Sequence, residues 1–430
     1  MAKKLSHSGV NDVASLLAAI VDENEARFID IRRRIHEYPE IAFEEVRTAA
    51  LVAETLASLG IEHQTGVGRT GVVGHIRGKR PGPTLLIRAD MDALPMQEET
   101  GLAYASKIAN RMHACGHDLH TATVLAVGAV LKRLEDRLAG NVRLIFQPAE
   151  EAVGGAKEMI ADGVMEGVDM ALSLHNRPEI PVGQFGIVHG YANAAVDSFD
   201  ITVHGKGGHA ARPYAAVDPI VIAAQLIGQL QTIVSRDVRA LDACVVTVGS
   251  IHAGEARNII PERCELKGTV RSRQPEARDA AEAGLRRLCE GVGLSFRAGC
   301  ELAYRRGTPP IFNDGGMLQR TMGAISAQLG DVAFDYEPSM GGEDFALIAQ
   351  MVPSFRLLVG SSQPGRSDKV LSARRAIHRL RNAGFGANRG RSPELTSRSR
   401  LLRDVHVEQW FARGAPARCR RRCRQRRRRL

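Results

Sequence analysis

The chain has 430 residues, of which 44% are hydrophobic, and a formal net charge of +10 at pH 7. This length and composition are typical of a globular protein with two or three domains. The sequence has no run approaching the ~20 apolar residues that a membrane-spanning helix needs. Its N-terminal apolar run, "LLAAIV", is shorter than the apolar region of a signal peptide. We therefore expect no membrane association.

The positive charge is confined to the end of the chain. Residues 363–430 contain 20 Arg, 1 Lys and 4 acidic residues, whereas residues 1–362 contain 37 basic and 44 acidic residues. The body of the protein is therefore mildly acidic. The seven cysteines are odd in number and scattered, which indicates free thiols in a reducing compartment. Together these features predict a cytoplasmic protein.

The first part of the chain alternates between helical and strand patterns. Residues 12–60 predict two helices, separated at Pro39 and ended by Gly60. A long helix is predicted over residues 120–138. Short apolar runs predict strands within 71–78, 83–95, 141–147 and 168–176. Alternation of this kind predicts an α/β fold with a buried sheet.

The pattern changes near Gly190. Two strand-rich segments and two helices follow in the order β, α, β-hairpin, α, which is typical of a small α+β insert. The helical and strand patterns resume after it and end near Ser361. The sequence thus predicts four parts: a catalytic domain in residues 1–188, an insert in 189–303, the second part of the catalytic domain in 304–362, and an Arg-rich tail in 363–430.

Several side chains that can bind metal stand at the ends of the predicted strands. Cys115 and His117 lie on a loop before the long helix, and thiolate and imidazole are good ligands for zinc and similar cations. Glu150 and Glu151 follow one strand directly, and His175 ends another. Each group alone is as compatible with a polar loop or the solvated start of a helix as it is with a metal site. Their joint position at strand ends favours a shared site.

Eight motifs follow one another along the chain. In order they are "RADMDALP", "HACGHDLHTA", "QPAEE", "LHN", "GKGGHAARP", "NIIPE", "GTVR" and "MGGEDFA". With these motifs the chain resembles the aminoacylase/hippuricase-like metal-dependent amidohydrolases, a group that includes hippurate hydrolases, N-acyl-L-amino-acid amidohydrolases and auxin-conjugate hydrolases. The similarity runs from about residue 25 to about residue 360. It implies a phosphorylase/hydrolase-like dinuclear-metal catalytic domain with an inserted α+β lid and dimerisation domain.

The resemblance also implies a role for individual residues. Two divalent cations (Mn, Zn, Ni or Co) would be bound, with Glu150 as general acid and base and Asp90 orienting the site. His209 of the insert would stabilise the oxyanion, often from the partner subunit of a homodimer formed through residues 190–303. Asn258 would contact the substrate, a small N-acyl amino acid. The implied metal ligands are Cys115, His117, Glu151 and His175.

Other interpretations remain open. A dipeptidase or aminopeptidase of the same clan would use similar chemistry. His113 is a further candidate for metal contact, because a strand-like backbone would place it on the same side as Cys115. His120 is expected to cap or pack the helix. Arg271, Glu343 and Asp344 match motifs without an assigned role.

The tail departs from the family pattern. A C-terminal "LHN"-like motif that supplies the fifth ligand is absent, and His378 and His406 stand in Arg-rich surroundings instead. The loss of this motif and the change in charge together favour a shift of reading frame after Ser361. Such a shift would leave the chain poorly soluble and weakly active or inactive. A "YDFND"-like run in another frame of the coding DNA would support this interpretation. A nucleic-acid-binding tail is the alternative, but it has few aromatics and no known motif, so we expect no such partner.

Overall fold

The computed structural model describes residues 7–152 and 154–362. They form two compact units, the first from residues up to Gly190, Asn313–Tyr336 and the residues from Leu347, the second from Tyr191–Phe312 and Glu337–Ala346. The catalytic and insert roles assigned to the predicted domains stay predictions. The tail, with His378 and His406, lies outside the described residues.

The described residues contain eight α-helices and sixteen strands. The helices are α1 (His7–Glu37), α2 (Val46–Ser58), α3 (His117–Arg133), α4 (Gly155–Ala161), α5 (Pro219–Thr232), α6 (Pro275–Phe296), α7 (Gly315–Leu329) and α8 (Phe345–Ala349). The strands are β1 (Glu62–Val67), β2 (Gly71–Arg77), β3 (Arg80–Asp90), β4 (Ala139–Gln147), β5 (Met170–Pro181), β6 (Phe185–Ile187), β7 (Gly190–Asn193), β8 (Ala195–His204), β9 (Gly208–His209), β10 (Cys244–His252), β11 (Ile259–Ile260), β12 (Arg263–Ser272), β13 (Gly299–Arg306), β14 (Ile311–Asn313), β15 (Ala333–Asp335) and β16 (Ser354–Ser362).

The first unit is built on an eight-stranded sheet of order β1-β2-β4-β3-β5-β16-β6-β15. Its central strands β4, β3, β5 and β16 run parallel to one another. Their apolar side chains, including Ile87, Leu144, Leu172 and Leu357, are buried in one core. The α/β prediction is therefore confirmed. Parallel central strands also place the ends of β3 and β4 at the same edge of the sheet.

Helix α3 is buried along most of its length, and of its residues from His117 to Leu131 only Leu119 is not buried. It begins after Gly116, whose φ of 86° is the left-handed conformation that glycine adopts without strain. Helix α1 packs against it through Leu17, Ile20 and Val21. The first turn of α3 lies at the end of β3, where His120 Nδ1 is 2.6 Å from Asp90 Oδ1.

The second unit contains a four-stranded antiparallel sheet of order β10-β12-β8-β13. Helices α5 and α6 contribute to the apolar core of this unit, with Leu226 and Leu285 in contact with residues of the strands such as Phe199. Asp218 caps α5 by accepting hydrogen bonds from the backbone N–H groups of Ile220 and Val221. Strand β13 was not predicted, but the predicted order of the other elements is present.

Among the helices that the structure describes, none combines the length and apolar character needed to span a membrane.

A buried histidine joins α1 to the loop before α3. His36 is 4% exposed, its Nδ1 lies 2.9 Å from Asp118 Oδ2, and its Nε2 lies 3.3 Å from Glu98 Oε1. Burial alone would lower its pKa, but the hydrogen bonds and charges of Asp118 and Glu98 outweigh burial and raise the pKa of His36 to about 9. The protonated imidazole therefore stabilises the native state.

We expect this contribution to depend on pH in a defined direction. It is fully present below the unfolded pKa of about 6.5 and is lost as the pH rises through about 9, and it amounts to roughly 3 kcal/mol. His36→Gln should therefore remove most of the decline in the free energy of unfolding between about pH 6.5 and about pH 9.5. Denaturant titrations at several pH values measure the free energy of unfolding of both proteins. His63→Gln on β1 is the control and should keep the wild-type slope.

Candidate metal centre

Three segments of the first unit bring metal-capable side chains together. Cys115 precedes α3, His117 is its first residue, and His175 lies on β5. One ligand atom from each of these residues lies within 4.8 Å of the others, and Cys115 Sγ is 3.7 Å from His175 Nε2. A second group of the same compactness consists of His117, Glu150 and Glu151. The two groups share His117, so the arrangement can hold two neighbouring cations.

The two imidazoles are oriented for ligation. His117 Nδ1 lies 2.8 Å from the carbonyl oxygen of Asp92, and His175 Nδ1 lies 2.7 Å from the carbonyl oxygen of Asn176. A carbonyl oxygen only accepts, so each Nδ1 carries a proton, and Nε2 is the ring nitrogen that each histidine can offer to a cation. His117 Nε2 is buried without a hydrogen-bond partner among the described residues. These donors fit a soft or borderline cation such as Zn²⁺.

Asp92 fixes the turn that carries the two glutamates. Its Oδ1 accepts the backbone N–H of Glu150 at 3.0 Å, and its Oδ2 accepts that of Glu151 at 2.9 Å. Asp92 is 1% exposed, and its Oδ1 also lies 3.3 Å from His117 Nδ1. One buried carboxylate thus positions members of both groups. The sequence pattern does not indicate this role, although Asp92 stands two residues after Asp90 in the "RADMDALP" motif.

Glu45 supports the same turn from the other side. Its carboxylate accepts the backbone N–H of Ala149 at 2.9 Å and the hydroxyl of Thr70 at 2.6 Å. Burial is the largest influence on this group and raises the pKa of Glu45. Ala149 has a φ of 50°, a left-handed conformation that costs a non-glycine residue of order 1 kcal/mol. The turn before Glu150 is therefore strained and held by distant carboxylates.

Asp90 lies at the end of β3 with no exposed surface. Its Oδ2 is 2.5 Å from Arg88 Nη1, and its Oδ1 is 2.6 Å from His120 Nδ1. Burial opposes ionisation, but Arg88, His117 and His120 outweigh it and hold the pKa of Asp90 well below the usual value. Asp90 is therefore an anion that can orient neighbouring groups.

Cys115 is half-buried by its overall exposure, and burial of its thiol raises the pKa of Cys115 to about 11. A bound cation would have to displace that proton, since the thiolate is the ligand. His113 is buried beside His36, and burial lowers the pKa of His113 to about 4. Within the described residues, His113 belongs to none of the groups of close ligand atoms.

His209 and Asn258 lie in the second unit, where the structure brings them near each other. His209 on β9 is the register partner of Ile259 on β11, and the Ala210 N–H donates to the carbonyl oxygen of Asn258 at 3.1 Å. Both residues are exposed. Their roles toward the substrate stay predictions.

Comparison with known proteins decides the family. The model of peptidase family M20/M25/M40 matches residues 86–372, which is more than half of the chain. The chain belongs to this family. The solved structure of the Bacillus subtilis YxeP protein, described as a dinuclear metal binding peptidase of the M20 family, matches with a TM-score of 0.72 and 37% identity, over 83% of this chain and 95% of that one.

Two relatives of this M20 protein carry named activities. The N-acetylcysteine deacetylase of Bacillus subtilis is 42% identical over 337 residues, covering 78% of this chain and 88% of its own length. The N-acyl-L-amino acid amidohydrolase of Geobacillus stearothermophilus is 41% identical over 295 residues, covering 68% and 80%. The resemblance to the amidohydrolases is thereby confirmed, and the M20 chain is an amidohydrolase.

We expect Cys115→Ala to lose bound divalent metal, because the site would lose its one thiol donor. The measurement is metal content per chain after dialysis against dilute cation. Cys300→Ala, a half-buried cysteine of the second unit, is the matched control and should retain the wild-type content. A full metal complement in Cys115→Ala would show that Cys115 is not a ligand.

Proposed function

We propose that this amidohydrolase cleaves the amide bond of N-acyl amino acids, including hippurate-like substrates. The observation that supports this most is the convergence of Cys115 Sγ with the Nε2 atoms of His117 and His175, beside the turn of the two glutamates. The activities of the two named relatives support the substrate class. The proposed ligands of two divalent cations are Cys115, His117, Glu151 and His175.

Two such cations, if bound by these residues, would polarise the amide carbonyl and lower the pKa of a water molecule. Glu150 would accept one proton of the attacking water and return it to the leaving nitrogen, so that water and amide become a carboxylic acid and an amine. Asp92 holds the Glu150 backbone, which fixes where this proton is taken up. His209 of the partner subunit would donate to the oxyanion, and Asn258 would contact the substrate.

The cation is proposed to be Mn²⁺, Zn²⁺, Ni²⁺ or Co²⁺, and the protein is proposed to act in the cytoplasm. The five cysteines that the structure describes are free thiols, which supports a reducing compartment. A fifth ligand would come from outside the described residues. Two metal equivalents per chain are expected of an active enzyme, and one or none of a form that lacks this ligand.

A matched pair of variants tests the roles of the two glutamates. Glu150→Gln keeps the shape but removes the base, so metal should stay bound while turnover of an N-acyl amino acid falls by about 10²–10⁴-fold. Glu151→Gln should instead release metal. Near-normal turnover in Glu150→Gln would show that Glu150 is not the general base. Hydrolysis of free dipeptides in the same assay would identify the protein as a dipeptidase.

The same Glu150→Gln variant tests the proposed homodimer. Strand β10 is an edge strand, and its Val245 and Ile251 are 44% and 48% exposed. Such an edge can pair with a second copy. Mixing Glu150→Gln with an inactive His209→Ala variant should restore activity, because one hybrid site would then be intact. No recovery from demonstrated heterodimers would place the action of His209 within one chain.

A further inference from the structure

His120, in the first turn of α3, has no exposed surface and uses both ring nitrogens. Its Nδ1 lies 2.6 Å from Asp90 Oδ1. Its Nε2 lies 3.0 Å from the backbone nitrogen of Asn176 and 2.8 Å from the Oδ1 of the same residue. The ring therefore connects the end of β3 to β5 at the residue that follows His175.

The backbone N–H of Asn176 determines where the ring proton sits. This N–H can only donate, so His120 Nε2 must accept, and the proton is on Nδ1. There it is donated to the ionised Asp90 carboxylate, a charge-assisted bond. Because Nε2 is the acceptor, the Asn176 side chain is favoured in the orientation that turns its NH₂ group toward Nε2. This orientation exchanges the amide oxygen and nitrogen of Asn176, two atoms of nearly the same size. The ring of His120 thus has a defined orientation.

Asn176 is bonded to His175 and lies against the backbone between the other two candidate ligands on this side of the site. Its carbonyl oxygen accepts the Nδ1 proton of His175. Its side-chain amide lies against Gly116, where an added Cβ would be 2.8 Å from the amide carbon. Gly116 separates Cys115 from His117, so the amide supports the backbone between these two residues. Only glycine leaves room for it at this φ of 86°.

We propose that His120 is a positioning residue which, through Asp90 and Asn176, holds the ligand-bearing segments of the metal centre in place. The inference rests on the proposed metal-dependent function. His120 has a ring nitrogen close to Asp90 and His117 and could be read as a metal ligand itself. Since both of its nitrogens are engaged in hydrogen bonds, it acts on the cation only through its neighbours.

Two substitutions separate the two bonds of His120. In His120→Asn the amide can reach the Nδ1 position and donate to Asp90, but the acceptor for the Asn176 N–H is lost. In His120→Gln the longer amide can accept from Asn176, while the donor to Asp90 is lost. His75→Asn, on β2 and half-buried, is the control.

The readout is Co²⁺ binding to metal-free protein, followed by chelator competition and by the thiolate-to-cobalt absorption band. We expect both His120 variants to bind Co²⁺ about 10–100-fold more weakly, with a shifted or weakened band, whereas His75→Asn matches the wild type. Cys115→Ala identifies the band, which should vanish in it. The melting temperature of each metal-free variant shows that it is folded.

The outcomes separate this inference from the proposed function. A wild-type chain that binds no Co²⁺ would contradict the proposed function. A wild-type chain that binds Co²⁺ while both His120 variants bind it equally well with the same band would overturn the positioning role. If the His120 variants lose one whole equivalent of Co²⁺ while the thiolate-to-cobalt band is unchanged, His120 is itself a ligand, which also overturns the positioning role. If the His120 variants do not fold, Asn176→Ser provides the measurement, and unchanged Co²⁺ affinity there overturns the inference.

Discussion

The site depends on one interaction, the acceptance of the Glu150 and Glu151 backbone N–H groups by the Asp92 carboxylate. A buried carboxylate without donors would be costly, and two backbone N–H groups satisfy it. The same residue meets His117 through its carbonyl oxygen and its carboxylate. Asp92 thereby fixes the relation between the glutamate turn and the start of α3. This relative position decides whether a cation bound by His117 can also be bound by a glutamate.

A second set of contacts works in the same way around Asp90. Arg88 keeps this carboxylate ionised inside the sheet, and His120 transmits its position to Asn176 and β5. The candidate ligands come from a loop, a turn and a strand that are separated in sequence. Buried carboxylates, rather than the ligands, join these segments, because each carboxylate oxygen can accept from more than one donor. Pre-organisation before metal binding follows from this arrangement.

The sequence predicted the α/β fold and the clustering of Cys115, His117 and His175, because apolar runs locate strands and strand ends locate sites. It did not reveal Asp92 or Glu45 as supports for the glutamate turn. A carboxylate that binds backbone N–H groups far along the chain leaves no periodic or local pattern. For the same reason the sequence predicts only that His120 caps or packs the helix, since its partners Asp90 and Asn176 come together only when β3 and β5 are neighbours.

The strained turn at Ala149 has a consequence for protein engineering. Its backbone geometry depends on Glu45, which is 104 positions away in sequence, and the next residue depends on Asp92, 58 positions away. A graft of the "QPAEE" segment alone into another scaffold would therefore relax to an ordinary conformation and lose the direction of both glutamates. The minimal portable unit is discontinuous and consists of the turn together with the two carboxylates that restrain it.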